Sequence, residues 1–319
     1  MDTPERYVKP LSPVLQLFYL LLICFGCALV VGPLIGLTAV AGIYGMDMLK
    51  QVAGINPVHT ANYVYAMRMF LGLGNTVLGF WTPALIFAFL VVRKPHTYLK
   101  YESHFSPVLL LCVLLFMVFF TPVMDITSYW NQHLSLPAPF KGLDKWIHDT
   151  ENQNEAIFKE IMNMRSGGDL LVTLFVVGFL PAISEEFLFR GCLQAIFRRW
   201  GMSVHVAVWL AAFIFSFMHF EFLGFVPRML LGGALGYLCA WSGSIWPSVF
   251  CHFLNNGFAV VVTYLYQHQQ VKIDPDSNAP MFSHYIVYLF CLLVSVSILV
   301  YYRKKAIATN PGQDGEELD

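Results

Sequence analysis

The chain has 319 residues, of which 57% are hydrophobic and 12% charged, with a formal net charge of −1. Soluble domains carry about 25% charged residues, so half that share, spread among apolar runs of about 20 residues, excludes an ordinary soluble domain and indicates a polytopic membrane protein. The near-zero charge provides no global field for holding nucleic acid.

Apolar windows predict eight membrane spans, at 14–44, 70–92, 106–124, 169–190, 204–222, 226–242, 245–266 and 282–302. The stretch from Val14 to about Ala41 is too long for the core of a cleavable signal, so it reads as the first span. A kink is expected at Gly32-Pro33. The cysteines, Cys24, Cys27, Cys112, Cys192, Cys239, Cys251 and Cys291, are odd in number and lie in or beside apolar spans, which argues against a disulfide framework. Cys24 and Cys27 form a C-x-x-C, for which small apolar packing is a plainer reading than redox or metal chemistry.

Four basic clusters alternate with the spans: Arg6 and Lys9; Arg93, Lys94 and Lys100; Arg198 and Arg199; Arg303, Lys304 and Lys305. Alternation puts all four on one side, so both termini are expected in the cytoplasm. The segment 125–168 is expected to be a polar loop, irregular around Pro137 and Pro139. An amphipathic helix over Glu151–Met164 would present Ile157, Ile161 and Met164 on one face and lie on the membrane surface. The tail 306–319, acidic from Asn310 onward, is expected to be disordered. Residues 1–319 thus form one integral membrane domain, with 169–267 as its functional core. Gly32/Gly36 and Gly232/Gly236 are G-x-x-x-G pairs that predict close helix packing.

The polar residues of that core are the informative ones. Ser184-Glu185-Glu186-Phe187-Leu188-Phe189-Arg190 follows the apolar run from Leu170 to Ile183. A charge at bilayer depth costs about 2.5–3.5 kcal/mol on insertion scales, so its presence suggests a use. On a helix, Glu186 and Arg190 are one turn apart and share a face. Glu185 then points elsewhere, free to face the bundle as a general base. The structural alternative is an ion pair beside a carboxylate that reaches for water. A second group is Phe215-Ser216-Phe217-Met218-His219, where a single histidine on an apolar helix is more often a satisfied core residue. A third is Cys251-His252-Phe253-Leu254-Asn255-Asn256. His252 and Asn256 project from one face, and helix-to-helix hydrogen bonding would also explain them.

Depth links the three groups. Glu185 precedes Gly201 by 16 residues and His219 follows it by 18, so two helical arms would bring them to one height. His252 lies a few residues beyond Ser242–Ser244, in the same layer. The fifth span is too short to cross fully from that height, so Phe220–Pro227 is expected to form a half-depth break, tolerated where buried in protein or lining a cavity. Two chemistries suit the layer. Glu185 activates water, with His219, while His252 and Asn256 stabilise an oxyanion. Alternatively, Glu185, His219 and His252 bind Zn²⁺ with an open water position. No H-E-x-x-H, G-x-S-x-G or serine-histidine-aspartate pattern competes.

The order E-E-x-x-x-R, F-x-x-x-H, H-x-x-x-N on successive membrane helices resembles the CPBP group, the CAAX prenyl endopeptidases of the Ras-converting type and their abortive-infection or bacteriocin-immunity relatives. The matching residues are Glu185, Glu186 and Arg190, then Phe215 and His219, then His252 and Asn256, within about 170–262. The resemblance implies an all-α polytopic membrane protein of about eight transmembrane helices, with the active site inside the bundle. It implies an intramembrane endopeptidase in which Glu185 activates water, His219 is its companion, and His252 with Asn256 forms the oxyanion or ligand pair. Glu186 and Arg190 would support the site. The implied partner is a membrane protein or peptide, prenylated in some relatives, within the lipid bilayer. Competing readings are a non-catalytic membrane adaptor or immunity protein, and a proton-coupled transporter, whose inverted repeats are not visible.

Overall fold

The computed structural model describes residues 11–54, 60–101, 106–275, 277 and 279–309. Arg6 and Lys9, and the tail from Asn310 to Asp319, lie outside the described residues. Among the described residues the secondary structure is helical, without strands. The main elements are α1 (Pro13–Tyr44), α2 (Ala61–Val91), α3 (Pro107–Gln132), α4 (Lys141–Ile161), α5 (Gly167–Arg199), α6 (Val204–Phe217), α7 (Phe225–Ser242), α8 (Trp246–Gln267) and α9 (Tyr285–Thr309).

Seven of them, α1, α2, α3, α5, α7 with the turn before it, α8 and α9, are long and apolar enough to cross a membrane. The fifth expected span, 204–222, is shorter than predicted. α6 has 14 residues, a length of about 21 Å against a hydrocarbon core of about 30 Å. The chain leaves the helix at Met218 and re-enters one at Phe225, with a short 3₁₀ turn at Phe222–Gly224 between them, so a break overlaps the expected Phe220–Pro227 but Phe225–Pro227 are already helical.

Sequence sets the helix starts. Ser12, Ser106, Ser166 and Ser203 each accept a backbone N–H of the first turn, and proline follows the first two directly. Prolines inside the spans do not break them. Gly32 N bonds Cys27 O, Thr82 N bonds Val77 O and Leu180 N bonds Phe175 O, each five residues back, just before Pro33, Pro83 and Pro181. Proline lacks a donor and its ring presses on the carbonyl four residues earlier. A locally widened turn absorbs both effects. So at Gly32-Pro33 the helix runs on through a wide turn.

The 125–168 segment is more helical than expected. α3 continues to Gln132 and α4 starts at Lys141 rather than Glu151. Ile161 and Met164 are buried, Met164 with Met162 against Val260 of α8, but Ile157 is exposed and does not share their face. Residues 306–309, placed in the tail by sequence, are the last turn of α9.

Two features arrange the core. α5 and α8 run antiparallel, joined at one end by Gln267, which donates to Met162 O and accepts from Met164 N. α6 and α7 form a tight hairpin in which Gly232 faces Ala212 and Gly236 faces Val208. The other G-x-x-x-G pair packs α1 on α2, with Gly32 and Gly36 against Gly74. The described basic clusters gather at one end of the bundle. Lys100 O accepts from Ile245 N, Arg199 lies over Tyr98, and Arg303 lies over Trp241.

Candidate active site

α5 carries the two carboxylates just before another wide turn, Phe187–Leu193. Glu186 is fully buried and holds three partners. Its Oε1 accepts from Arg190 Nη1 at 2.7 Å and lies 2.9 Å from His252 Nδ1, and its Oε2 accepts from the Ser248 hydroxyl. Arg190 also donates to Gly232 O at 3.1 Å and lies over the Phe215 ring, 4.5 Å from its centroid. A buried cation is tolerated only when paired and hydrogen-bonded, and this one reaches three helices.

Glu185 is placed differently. Its Oε2 is buried and accepts no hydrogen bond. It faces Nε2 of His219 and Nε2 of His252, each at 3.9 Å. Those distances are longer than a direct hydrogen bond. The Glu185 side chain is 14% exposed and that of His219 30%, so the carboxylate is recessed and the imidazole stands nearer the mouth.

Backbone and carboxylate partners orient both rings. His219 Nδ1 lies 2.8 Å from Phe215 O, and a carbonyl oxygen can only accept, so Nδ1 carries the hydrogen and Nε2 faces Glu185. His252 is held likewise by Glu186 on Nδ1. The carboxylate–imidazole contact is the orienting half of a catalytic triad.

Asn256 lies one turn beyond His252. Its Nδ2 donates to Val177 O of α5 at 3.3 Å and its Oδ1 accepts from Asn255 at 3.0 Å. The structure therefore brings Glu185, His219 and His252 together, with Glu186 and Arg190 beneath them. It sets Asn256 beside this group, bonded to α5.

Three groups were not singled out from sequence. Ser248 precedes His252 by one turn on the same helix face, and Ser-x-x-x-His-x-x-x-Asn could have flagged it. Asn255 fixes the amide of Asn256. Arg228 forms an ion pair with Glu221 in the break, and no spacing rule points to it.

Among the described residues, no group of three or more His, Cys, Asp or Glu side chains is arranged to hold a metal ion.

The fold and the site define a polytopic helical membrane protein with a buried carboxylate–imidazole centre between three helices. Residues 167–258, which hold all of that centre, match the model of type II CAAX prenyl endopeptidase Rce1-like proteins. The chain is also 27% identical over 114 residues to YpbD of Bacillus subtilis (strain 168), described as an uncharacterized protein. That alignment covers 34% of this chain and 53% of YpbD, so the chain spans about half the length of the curated relative it matches. No solved structure matches the chain.

Proposed function

We propose that this protein is an intramembrane endopeptidase that hydrolyses a peptide bond of a membrane-associated or lipidated protein, using water activated by Glu185. The observation that carries the reading is the position of Glu185 Oε2, buried, without a hydrogen bond, and equidistant from two imidazole nitrogens. A catalytic base should be held by its surroundings yet keep its reactive oxygen uncommitted.

In this reading, Glu185 takes the proton of a water set between it and His219. The resulting hydroxide attacks the carbonyl carbon, and the carbonyl electrons move onto oxygen. His252, oriented by Glu186, stabilises that oxyanion through Nε2. Asn256 assists with the amide hydrogen that Val177 O does not take. Collapse of the intermediate expels the amine, which receives the proton held by Glu185. Arg190 and Ser248 act through Glu186. The basic end of the bundle faces the cytoplasm, and both termini with it.

The test is comparative profiling of new peptide termini in membranes containing the wild-type chain, E185Q or H252A. Termini that form with the wild-type chain and vanish in both variants identify substrates. A cellular phenotype that survives both substitutions, with no dependent termini, would favour the adaptor reading instead.

A further inference from the structure

His219 stands just past the end of α6, outside any regular helix, where backbone hydrogen bonding alone does not fix a side chain. The chain reverses at Phe220, which has φ +53°, and runs through the break to Phe225. Several groups fasten this turn. Asn131 of α3 donates to Phe222 O and accepts from Val226 N, both at 2.9 Å. The Ser216 hydroxyl donates to Phe225 O at 2.7 Å. Trp146 of α4 packs on Phe222, with ring centroids 5.7 Å apart.

Two residues past His219 a closed ring of chain begins. Glu221 and Arg228 form an ion pair, and Arg228 Nη1 also donates to Glu221 O at 3.2 Å. Gly224 permits the closure, since a Cβ there would stand 3.1 Å from Arg228 Nη2.

We propose that Glu221 and Arg228 are positioning residues that hold His219 with Nε2 opposite Glu185. The competing explanation is that the pair only adds stability. Its side chains are 38% and 19% exposed, and ion pairs with that access to water contribute little to folding. Geometry is more sensitive, because a reacting group displaced by about 1 Å can lose about 100-fold in rate. The kinetic part rests on the peptidase reading of the site, and the placement of His219 does not.

The experiment uses the full chain in lipid nanodiscs. Diethyl pyrocarbonate modification of each histidine is followed by peptide mass spectrometry in wild type, E221Q, R228M and the reversal E221R/R228E. In the single variants, His219 should react several-fold faster while buried His252 keeps its rate, and the reversal should restore slow reaction at His219. On a Glu185-dependent substrate found by terminus profiling, kcat should fall about 10- to 100-fold with KM unchanged, and recover in the reversal. R228K keeps the charge but loses the fork, and covers the case in which R228M does not fold. It should give intermediate reactivity at His219. Unchanged His219 reactivity in E221Q and in either Arg228 variant overturns the proposal, as does equal acceleration at His252. Absence of any Glu185-dependent cleavage removes the peptidase reading while leaving the modification result to stand alone.

Discussion

Glu186 Oε1 lies 2.9 Å from Nδ1 of His252, and this single contact decides which nitrogen of His252 faces Glu185. The neighbouring carboxylates thus divide the work by partner. Glu186 has a cation, a hydroxyl and an imidazole around it, while Glu185 keeps one oxygen unengaged.

Substitution should separate the two. E185Q is expected to lower turnover by about 10²- to 10⁴-fold, the usual contribution of a general base, with thermal unfolding as in wild type. E186A leaves Arg190 buried and unpaired, which costs about 3–5 kcal/mol. It should lower both unfolding temperature and turnover. Equal effects of the two variants on stability would contradict this division.

Ser248 offers a finer test. Its hydroxyl serves a fully buried carboxylate oxygen, and a buried acceptor that loses its donor costs about 1–3 kcal/mol. S248A should therefore be destabilised by that order in chemical denaturation, and S248C less so if the thiol can still donate.

Packing of α1 on α2 depends on Gly32. A Cβ at that position would meet the Gly74 carbonyl oxygen at 2.2 Å, backbone against backbone. G32A should cost about 1–3 kcal/mol by overpacking, read as a lowered unfolding temperature. G42A on the same helix, with open space around its Cβ, should be neutral.

Metal content separates the two chemistries weighed from sequence. Purified active protein is expected to hold well under one equivalent of zinc by elemental analysis, and to keep its turnover after dialysis against a chelator. Stoichiometric zinc together with loss of activity on chelation would replace the Glu185–water mechanism.

Helix α4 carries a pH-sensitive group. Burial, and then the charge of Glu221, push the Glu151 carboxyl up from its ordinary range, partly offset by the amides of Phe222 and Leu223. A carboxyl raised in the folded state favours the protonated form, so folding loses stability as pH rises from the unfolded carboxylate range through the raised value. E151Q should then unfold at a higher temperature than wild type near neutral pH. The difference should vanish in acid, where both side chains are neutral.

Much of this was legible in the chain. The layer that joins Glu185, His219 and His252 followed from residue counts about Gly201 and the Ser242–Ser244 turn, because helical rise converts counts into height. The break after α6 was legible too, since too few residues separate His219 from Pro227. What escaped has a common reason. Ser248 and Asn255 act through side-chain hydrogen bonds whose geometry depends on helix rotation, and the wide turns before Pro33, Pro83 and Pro181 alter that rotation locally. α4 starts at Lys141 because its first turns pack on tertiary neighbours, such as Phe222 under Trp146, rather than on a local apolar stripe. Ile157, placed by periodicity on the inner face, is exposed, and the residues that pack on Val260 of α8, Met162 and Met164, lie just past the end of that helix.

The short helix α6 has a consequence for the surrounding lipid. Its 14 residues end well inside the thickness that its neighbours cross, while Phe213, Phe217 and Phe220 stay exposed along its outer side and tip. Acyl chains beside it must compress or bend around the tip, at a cost of fractions of a kcal/mol for each ångström of mismatch. Local thinning of the bilayer beside α6 is the expected accommodation, and lipids with shorter chains should relieve that strain.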